Sequence, residues 1–460
     1  MSPSLHRDRR AIVIGAGVSG LLTARVLADH YGQVTLVERD ELPPTPRQRR
    51  GVPQGAHVHA LFARGVAALE ELLPGFGAAL TGSGAHRIDM GRDLALATPY
   101  GWGVRHLARL PALGASRPLI EHVIRARATD SPRLTLLTGH RVIRLTGRPE
   151  HLDGVEARHG STDRHLPADL VVDAAGRASP LDRWLAELDC PAPPARTVDA
   201  HVGYATRLFR TPAGGVPADW RACYSLPLGP STPRGGVLAP VEGDRWIITL
   251  TGTGDHRPGT TDDDFLPFAR SLLTPLIADF AARAEPLTAV RGSNATANRL
   301  RRPGHAGRLP GNLLVTGDSA CALNPVYAQG MTVAALSALA LRDCLTAAPP
   351  RPGPDRLAHR FHQAQSAVQR LPWLLATSAD NLHPGTTGTR PGLHHQALAH
   401  ALHQLLRAGA HHPEAQRRSL SLMAMTAGPA TLTHPRALLA LATYRRHPAT
   451  PTGHPPPPAP

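Results

Sequence analysis

The sequence predicts an α/β fold in which a strand–helix–strand unit comes first, a mainly antiparallel β-sheet follows, and the C-terminal region is helical. Three observations support this prediction. An apolar run before Gly15 leads into a Gly-rich turn and then into apolar residues at helical spacing. From about Asp199 the chain changes to alternating, aromatic-bearing segments that Gly and Pro separate. A second Gly-Asp turn, at Gly317 and Asp318, precedes an Ala- and Leu-rich run.

The first unit, residues 11–38, carries the pattern GAGVSG between a predicted strand and a predicted helix. Gly15 permits a sharp turn, Gly17 lets a pyrophosphate approach the backbone at the helix N-terminus, and Gly20 lets helix and strand pack closely. Glu38 ends the second predicted strand, where its carboxylate can accept hydrogen bonds from a ribose. Because strand, helix and acidic residue agree, we predict binding of an ADP-containing dinucleotide, NAD(P) or FAD.

Composition argues against nucleic acid as a partner. The 460 residues carry a formal net charge of +15 and include no Lys, so every basic side chain other than His is Arg. The Arg residues are scattered, with almost no aromatic residues among them. That pattern is typical of a solvated basic surface rather than of a nucleic-acid site.

Cysteine usage and hydropathy predict a cytoplasmic protein. The N-terminus has no signal-type apolar run before the first strand. No uncharged apolar stretch reaches the roughly 18 to 20 residues of a membrane span, so we expect no integral membrane association. The Cys residues occur singly, without CxxC spacing, which fits a reduced protein. They are Cys190, Cys223, Cys321 and Cys344.

The segment after the first unit, RQRRGVPQGAHVHALFARG at residues 47–65, brings Arg and His together. We predict that Arg47, Arg50 and Arg117, the last from SRPLIEHVIRARA, are fixed donors to phosphates or to the polar edge of a flavin. His57 and His59 alternate but have no third ligand nearby. We therefore expect them to line a loop, and we expect no metal site.

Short strands and a hairpin are predicted next, in LTLLTGHRVIRL and GVEARHG, followed by a buried strand from Leu170 to Asp173. The strand-rich middle contains Tyr204, Arg207, Tyr224 and Trp246. Each of these side chains is predicted either to line a substrate cavity or to belong to the core. After a helical stretch near residues 262–284, the chain returns through NRLRRPG to a further strand in NLLVTGDSA.

Several separated motifs together resemble one family. GAGVSG with Glu38, VVDAAGRASP, GDSACALNPVYAQGMT and YATRLFR are similar to flavoprotein monooxygenases of the p-hydroxybenzoate-hydroxylase fold, whose FAD-binding domain is Rossmann-type and glutathione-reductase-like. More narrowly, RRGVPQGAHVHAL, GSGAHRI, YGW, SRPLIEHVIR and RWIITLTGT resemble bacterial polyether-pathway epoxidases, which oxidise polyene polyketide chains. The resemblance runs from residue 11 to about residue 345.

The resemblance implies FAD as cofactor and O2 as co-substrate, with oxygen transferred from a flavin C4a-hydroperoxide in a dry cavity. Asp318 would accept hydrogen bonds from the ribityl or pyrophosphate region, and Asn324-Pro325 would form a rigid turn beside the flavin. Gly330 and Met331 would direct backbone N–H groups at the pyrimidine edge. No side-chain nucleophile is required. The positions carried over as cofactor-binding are Gly15, Gly17, Gly20, Glu38, Arg39, Arg50, Arg117, Val142, Asp318, Pro325, Gly330 and Met331.

Two departures from the family pattern bear on the reaction. Relatives have Gly where this chain has Ala328, so the loop is expected to be tighter or the flavin shifted. Hydroxylases that reduce their own flavin with NAD(P)H usually have a consecutive Asp-Gly where residues 173–177 read DAAGR. We therefore expect reduced FAD to come from a separate reductase rather than directly from NAD(P)H.

We expect five segments along the chain. They are residues 1–185, the first part of the FAD-binding domain; 186–300, a mainly β substrate domain; 301–348, the return of the FAD-binding domain; 349–445, a helical C-terminal region; and 446–460, a disordered Pro-rich tail.

The expected function is epoxidation of an alkene in a hydrophobic polyketide or terpenoid intermediate of secondary metabolism. His57, His59, Tyr204, Arg207, Tyr224 and Trp246 are the candidate substrate-binding residues. The substrate is a hydrophobic small molecule, free or bound to a carrier protein. Hydroxylation of an aromatic or aliphatic natural product is the first alternative, and a non-catalytic flavin-binding protein is the second. A flavin-dependent halogenase ranks last because that chemistry usually needs a Lys, and the chain has none.

Overall fold

A computed structural model describes residues 6–216, 219–305, 309–347, 354–434 and 455–458. The first eleven strands are β1 (His6–Ile14), β2 (Tyr31–Val37), β3 (Ala60–Leu61), β4 (His86–Asp89), β5 (Leu94–Thr98), β6 (Gly101–Trp102), β7 (Pro111–Gly114), β8 (Leu134–Leu137), β9 (Arg141–Arg148), β10 (His151–His159) and β11 (Thr162–Pro167). The later strands are β12 (Leu170–Asp173), β13 (Ala195–Asp199), β14 (Val202–Arg210), β15 (Ala222–Ser225), β16 (Arg234–Val241), β17 (Arg245–Thr253), β18 (Arg291–Ser293), β19 (Asn298–Arg301), β20 (Leu313–Val315), β21 (Cys321–Ala322) and β22 (Thr387–Gly388).

The helices lie mainly at the two ends of the chain. They are α1 (Val18–Ala28), α2 (Ala63–Leu72), α3 (Phe76–Gly82), α4 (Arg117–Ala128), α5 (Leu181–Ala186), α6 (Asp262–Arg270), α7 (Leu276–Arg283), α8 (Gly330–Thr346), α9 (Pro354–Asp380), α10 (Leu393–Gly409) and α11 (Pro413–Met423).

A five-stranded parallel sheet, in the order β20-β12-β1-β2-β8, confirms the predicted Rossmann-type unit. One face packs against α1, α4 and α8, and the other packs against the antiparallel sheet β11-β10-β9 and α5. Because both faces are covered, the central strands are almost continuously apolar, as in AIVI and LVVD. The carboxyl ends of β1, β2, β12 and β20 therefore meet at one edge, where such sheets bind ligands.

The second layer is a seven-stranded sheet in the order β18-β14-β17-β16-β15-β5-β6. Its pairs are antiparallel except for β15 with β5, which are parallel, with Tyr224 opposite Leu96. One face is covered by α6 and α7, which form a core with Ala205, Phe209 and Ile248. The other face is turned away from those two helices and carries Tyr204, Thr206 and Tyr224, as the strand register requires.

Two of the predicted segments are related to the fold in ways that local sequence does not indicate. Strands β5 and β6 belong to the segment predicted as FAD-binding, yet they complete the seven-stranded sheet. This pairing joins residues more than one hundred positions apart, so local sequence patterns do not reveal it. The segment expected to be a disordered tail lies partly outside the described residues. Its residues 455–458 are described, and Arg105 Nη1 donates to the Pro456 carbonyl at 3.2 Å.

Candidate functional site: a dinucleotide cleft and an apolar cavity

The turn between β1 and α1 and the first turn of α1 contain Gly15, Gly17 and Gly20, and the reason for glycine differs among them. Gly15 has φ +98°, and a Cβ there would lie 2.7 Å from the Ala174 carbonyl oxygen. A Cβ at Gly20 would lie 1.8 Å from the Gly15 oxygen. At Gly17, by contrast, a Cβ would have no atom within 4 Å, so the protein itself leaves the space free. This open space lies at the N-terminus of α1, where N–H groups lack helical partners.

Glu38 lies directly after β2 and faces the same turn. Its carboxylate accepts hydrogen bonds from the backbone N–H of Ala16 at 2.8 Å and of Asp40 at 3.0 Å. The residue is only 5% exposed. An oriented, buried carboxylate beside a helix N-terminus is the arrangement that binds a ribose in dinucleotide sites.

Arg49 belongs to this end of the cleft and was not among the predicted residues. Its guanidinium lies 3.2 Å from Glu38 and 2.6 Å from Glu121, and it donates to the Ala16 carbonyl oxygen at 3.0 Å. Three acidic side chains around one nearly buried Arg form a fixed electrostatic network. The sequence pointed to RQRR as a whole, but only the packing of α4 against this loop singles out Arg49.

The other predicted Arg residues have different positions. Arg39, Arg47 and Arg50 are exposed at the surface. Arg117 is buried, and its Nε lacks a hydrogen-bond partner among the described residues. The guanidinium of Arg117 lies near the carboxyl of Asp318 in the second predicted motif, and its charge opposes the rise in pKa that burial causes there.

Asp318 follows β20, one parallel strand away from the DAAGR segment. Burial raises the pKa of Asp318, while the guanidinium groups of Arg177, Arg117 and Arg299 act in the opposite direction. In the described part of the chain its carboxylate accepts no hydrogen bond, although the neighbouring Asp173 accepts bonds from Ser179 and Ser319. Asp318 is therefore an acceptor available to a ligand, whereas Asp173 is used within the protein.

Residues 324–331 form the flavin-edge loop, which connects β21 to α8. Asn324 begins a single 3₁₀ turn over Pro325–Tyr327, and Ala328 takes the left-handed conformation with φ 53° and ψ 26°. Helix α8 then begins at Gly330, where a Cβ would meet no atom within 4 Å, while Met331 is buried in the core. The loop therefore presents a second helix N-terminus with free space in front of it.

The residues present fit FAD. Two helix N-termini, each with open space at a glycine, bound a cleft that also contains the oriented carboxylate of Glu38 and the unpaired carboxylate of Asp318. Val142, another residue carried over as cofactor-binding, lies on β9 and packs its side chain in the core beside Ile14 and Val37. Any contact of Val142 with a cofactor would therefore be through its backbone.

An apolar cavity of about 140 Å³ opens beside the flavin-edge loop. Val326, Tyr327 and Gln329 of the loop form one wall, and Tyr224 and Leu226 of the seven-stranded sheet form a second. The third wall comes from the C-terminal helices α9, α10 and α11, through residues that include Leu375, Leu402, His403, Leu422 and Met423. The C-terminal region, which had no predicted role in the site, thus closes the cavity.

The predicted substrate residues divide between the two faces of the sheet. Tyr224 lines the cavity, and Tyr204 is on the same face, where its hydroxyl donates to Asn324 Oδ1 at 3.0 Å. Arg207 and Trp246 are on the opposite face and do not line this cavity, so their role in substrate binding stays a prediction. Arg207 forms an ion pair with Asp262 at 2.8 Å, and Trp246 packs in the core under α6 and α7.

His57 and His59 lie in a loop, as the sequence predicted, between the cleft and the sheet. His57 Nδ1 is 2.7 Å from Thr206 Oγ1, and its ring centroid is 5.3 Å from that of Tyr204. Burial lowers the pKa of His57 to about 4, and burial beside Arg117 lowers the pKa of His59 to about 3. Both imidazoles are therefore neutral near pH 7 and act as hydrogen-bonding groups rather than as cations.

The described residues contain neither a candidate metal site nor a helix that could cross a membrane. In these ranges, no group of three or more His, Cys, Asp or Glu side chains is placed to hold a metal ion. Within the same ranges, no helix combines the length and apolarity that a membrane crossing requires.

Comparisons with solved structures address the fold. The flavin-dependent brominase Bmp2 aligns with a TM-score of 0.64 at 12% identity, over 94% of this chain and 98% of that chain. PqsL of Pseudomonas aeruginosa, solved with 2-aminobenzoylacetate, aligns with a TM-score of 0.60 at 17% identity, over 90% of this chain and 99% of that chain. The p-nitrophenol 4-monooxygenase PnpA of Pseudomonas putida DLL-E4 aligns with a TM-score of 0.60 at 16% identity, over 93% of this chain and 98% of that chain. The chain therefore has the p-hydroxybenzoate-hydroxylase fold.

Sequence comparisons address the family. Protein Rv3254 of Mycobacterium tuberculosis is 32% identical over 400 residues, which are 83% of this chain and 82% of that protein. The tRNA-modifying bifunctional protein MnmC of Pseudomonas putida GB-1 matches only 85 residues at 41% identity, or 12% of its length. Residues 8–371 match the family described as FAD binding domain. The chain belongs to this FAD-binding domain family.

Proposed function

We propose that the protein is an FAD-dependent monooxygenase that epoxidises an alkene in a hydrophobic, uncharged substrate such as a polyketide or terpenoid intermediate. The observation that supports this proposal best is the position of the apolar cavity, whose wall includes Val326, Tyr327 and Gln329 of the flavin-edge loop. FAD, reduced by NAD(P)H directly or through a separate reductase, supplies activated oxygen. One oxygen atom of O2 enters the alkene, and the other leaves as water with two electrons and two protons.

The lining of the cavity favours an uncharged substrate. Of the lining side chains that the structure describes, none is Arg, and the carboxylate of Asp380 is already surrounded by hydrogen-bond donors. A carboxylate or phosphate on the substrate would therefore lose its hydration without gaining a cation. An elongated hydrocarbon chain, free or delivered by a carrier protein, fits this lining.

The proton chemistry of the cavity also favours an alkene over a phenol. Hydroxylation of a phenol gains from a base that takes the phenolic proton. Burial lowers the pKa of His383 to about 4, which makes it a weak base, and burial raises the pKa of Tyr224 above its ordinary value. Burial raises the pKa of Asp380 to about 6, but its oxygens already accept hydrogen bonds from Asn298 and Tyr327. Oxygen transfer to an alkene needs positioning and exclusion of water instead, which an apolar cavity provides.

Ala328 supports an active flavin site rather than a degenerate one. The residue adopts the left-handed conformation that favours Gly, with φ 53°. Since Ala328 takes the backbone conformation expected of the Gly that it replaces in the family pattern, we prefer a catalytic flavin site to a non-catalytic one. Hydroxylation remains the alternative that the experiment below separates from epoxidation.

The experiment is a single turnover with products counted. The FAD-loaded protein is reduced chemically and mixed with 18O2 and one of two probes, the neutral polyene farnesyl acetate or a simple phenol. We expect labelled epoxide from the polyene and mainly hydrogen peroxide with the phenol. Labelled hydroxylated phenol together with unchanged polyene would overturn the epoxidase proposal, and peroxide alone with both probes would overturn activity on either class.

A further inference from the structure

Asp380, the last residue of α9, is a buried carboxylate with three side-chain donors from other parts of the chain. Its oxygens accept from Tyr327 Oη at 2.5 Å and from Asn298 Nδ2 at 2.5 Å, and both are 3.3 Å from Asn324 Nδ2. The residue is 1% exposed. Such charge-assisted hydrogen bonds are about twice as strong as neutral ones, so the carboxylate fixes its donors firmly.

The donors to Asp380 are the residues that shape the flavin-edge loop. Asn324 and Tyr327 lie at the two ends of its 3₁₀ turn. Asn298 completes the arrangement, because its Oδ1 accepts the backbone N–H of Asn324 at 2.7 Å. Asn324 Oδ1 in turn accepts from Val326 N and from the Tyr204 hydroxyl. Removing Asp380 would take the acceptor from Tyr327 Oη and Asn324 Nδ2, and would leave Asn298 Nδ2 with the Val198 carbonyl oxygen at 3.4 Å.

Asp380 also lines the apolar cavity, so one side chain touches both the loop and the substrate space. No cation is paired with it among the described residues, and the neighbouring titratable groups are Tyr204, Tyr327, Asp199 and His383. Its negative charge is therefore maintained by hydrogen bonds from the loop. The loop and the carboxylate depend on each other.

We propose that Asp380 is a positioning residue, which acts through Asn324 and Tyr327 to fix the flavin-edge loop against the cavity. This inference rests on the proposed function. With the loop fixed, the reactive edge of the flavin faces the substrate, and little reduced flavin is lost to hydrogen peroxide. With the loop free, the same oxygen reacts unproductively and FAD is held less tightly.

The test uses three variants: Asp380→Asn, Tyr327→Phe, and the double variant that combines these two substitutions. Each is compared with the control variant Ser378→Ala. The asparagine keeps the size of the side chain but turns one acceptor into a donor facing the amides of Asn298 and Asn324. Ser378 is a matched control, because it is buried on the same helix and its hydroxyl has no hydrogen-bond partner in the described residues.

We measure the FAD dissociation constant, the visible absorption spectrum of bound FAD, and the peroxide formed per reduced flavin with farnesyl acetate. We expect Asp380→Asn to weaken FAD binding about ten-fold, to shift the absorption bands and to raise peroxide. Tyr327→Phe should have a smaller effect in the same direction. If Asp380 acts through Tyr327, the double variant resembles Asp380→Asn rather than the product of both effects.

The inference would be overturned if Asp380→Asn had the same FAD affinity, spectrum and peroxide yield as Ser378→Ala. It would also be overturned if the effects of Asp380→Asn and Tyr327→Phe were independent in the double variant. If Asp380→Asn does not fold, Tyr327→Phe decides, and an unchanged spectrum and peroxide yield there would overturn it. FAD affinity and spectrum decide the question even when farnesyl acetate is not oxidised, so failure of the proposed function remains distinguishable.

Discussion

At the scale of single residues, the glycines show what the protein needs for itself and what it leaves for a ligand. Gly15 and Gly20 cannot accept a side chain, because a Cβ would collide with backbone oxygens. Gly17 has an ordinary extended conformation, with φ −73° and ψ 177°, and open space beyond it. The fold alone therefore gives no reason for glycine at position 17.

Gly17→Val is accordingly expected to fold normally and to lose FAD. The valine side chain would project into the free space at the N-terminus of α1, where a pyrophosphate would otherwise approach. Flavin content of the purified protein and far-ultraviolet circular dichroism measure the two effects. Gly428→Val is the control, since Gly428 has a similar extended cap conformation and equally open space outside the cleft. Full flavin content in Gly17→Val would contradict the assignment.

Asp318 provides a second test, because its carboxylate is placed for a ligand rather than for the fold. Asp318→Asn should weaken FAD binding by about ten-fold to one-hundred-fold, through loss of a charge-assisted hydrogen bond. The FAD-free variant should be at least as stable as the wild type, because burial disfavours the charged carboxylate and raises its pKa. A lower free energy of unfolding with unchanged FAD affinity would show a structural role instead.

The backbone of Ala328 is strained, because an L-residue rarely adopts its left-handed conformation. An L-residue other than Gly costs about 1 to 2 kcal/mol there, partly offset by the greater freedom of glycine in the unfolded chain. Ala328→Gly should therefore raise the free energy of unfolding by about 0.5 to 1 kcal/mol, as measured by urea denaturation. Ala347→Gly, at an exposed position with φ −78°, should lower it by a similar amount. A loss of stability in Ala328→Gly would refute this account.

At the scale of elements, the sequence predicts local strand–helix units well, but it does not predict which face of a sheet borders the cavity. The β1–α1–β2 unit and the strand from Leu170 to Asp173 follow from apolar periods and glycine spacing alone. Tyr204 and Arg207 are three residues apart on one strand, so alternation already requires them to point to opposite faces. The alternation does not say which face borders the cavity, because that depends on where α6 and α7 pack.

Arg49 and Asp380 escaped prediction for a related reason. Arg49 differs from the exposed Arg47 and Arg50 in its tertiary contacts, which include the ion pairs with Glu38 and Glu121. Asp380 lies in a C-terminal helix, and its donors come from residues 298–327. Networks that join distant segments leave no periodic signal in the chain, whereas turns and amphipathic elements do.

A pair of substitutions on opposite faces of the sheet tests which face binds the substrate. Tyr224→Ala should change the affinity for farnesyl acetate and raise peroxide formation, because it enlarges the cavity. Trp246→Leu should leave both unchanged and lower the free energy of unfolding by about 2 kcal/mol, because Trp246 packs against Trp220 and Phe280 in the core. Binding titrations and urea denaturation supply the measurements. Weaker binding in Trp246→Leu with unchanged stability would support its predicted role in substrate binding.

At the scale of the whole molecule, the cavity depends on segments from both ends of the chain. The sheet contributes Tyr224, the flavin-edge loop contributes Tyr327, and the C-terminal helices contribute Leu375 and Leu402. Several titratable side chains are buried where these layers meet. Their protonation therefore links the stability of the whole assembly to pH.

Buried histidines dominate this dependence in the range just below neutrality. Burial lowers the pKa of His57, His362 and His383 from 6.5 to about 4, so the unfolded chain binds protons that the folded chain excludes. Stability contributed by each group is present above pH 6.5 and is lost as the pH falls towards 4, by at most about 3 kcal/mol per histidine. Asp380 acts in the opposite direction, because burial raises its pKa from 3.8 to about 6. The folded chain therefore binds a proton that the unfolded chain releases, and the stability that Asp380 contributes is lost as the pH rises from about 4 to about 6.

His59, whose pKa burial lowers to about 3, acts with these three histidines, whereas Asp318 and Asp173, whose pKa values burial raises, act with Asp380. We expect the histidines to dominate, so the FAD-free protein should lose stability steeply between about pH 6.5 and pH 4, as measured by urea denaturation across that range. His362→Gln should flatten the curve, because the glutamine oxygen can replace His362 Nε2 as acceptor for the Val315 N–H and cannot take up a proton. His400→Gln, at an exposed position on α10, should leave the curve unchanged. Asp380→Asn should steepen it, since the opposing group is removed. A curve that is flat over this range in the wild type, or equal slopes in His362→Gln and His400→Gln, would show that these imidazoles are solvated in the folded protein and that the layers around the cavity are not closed.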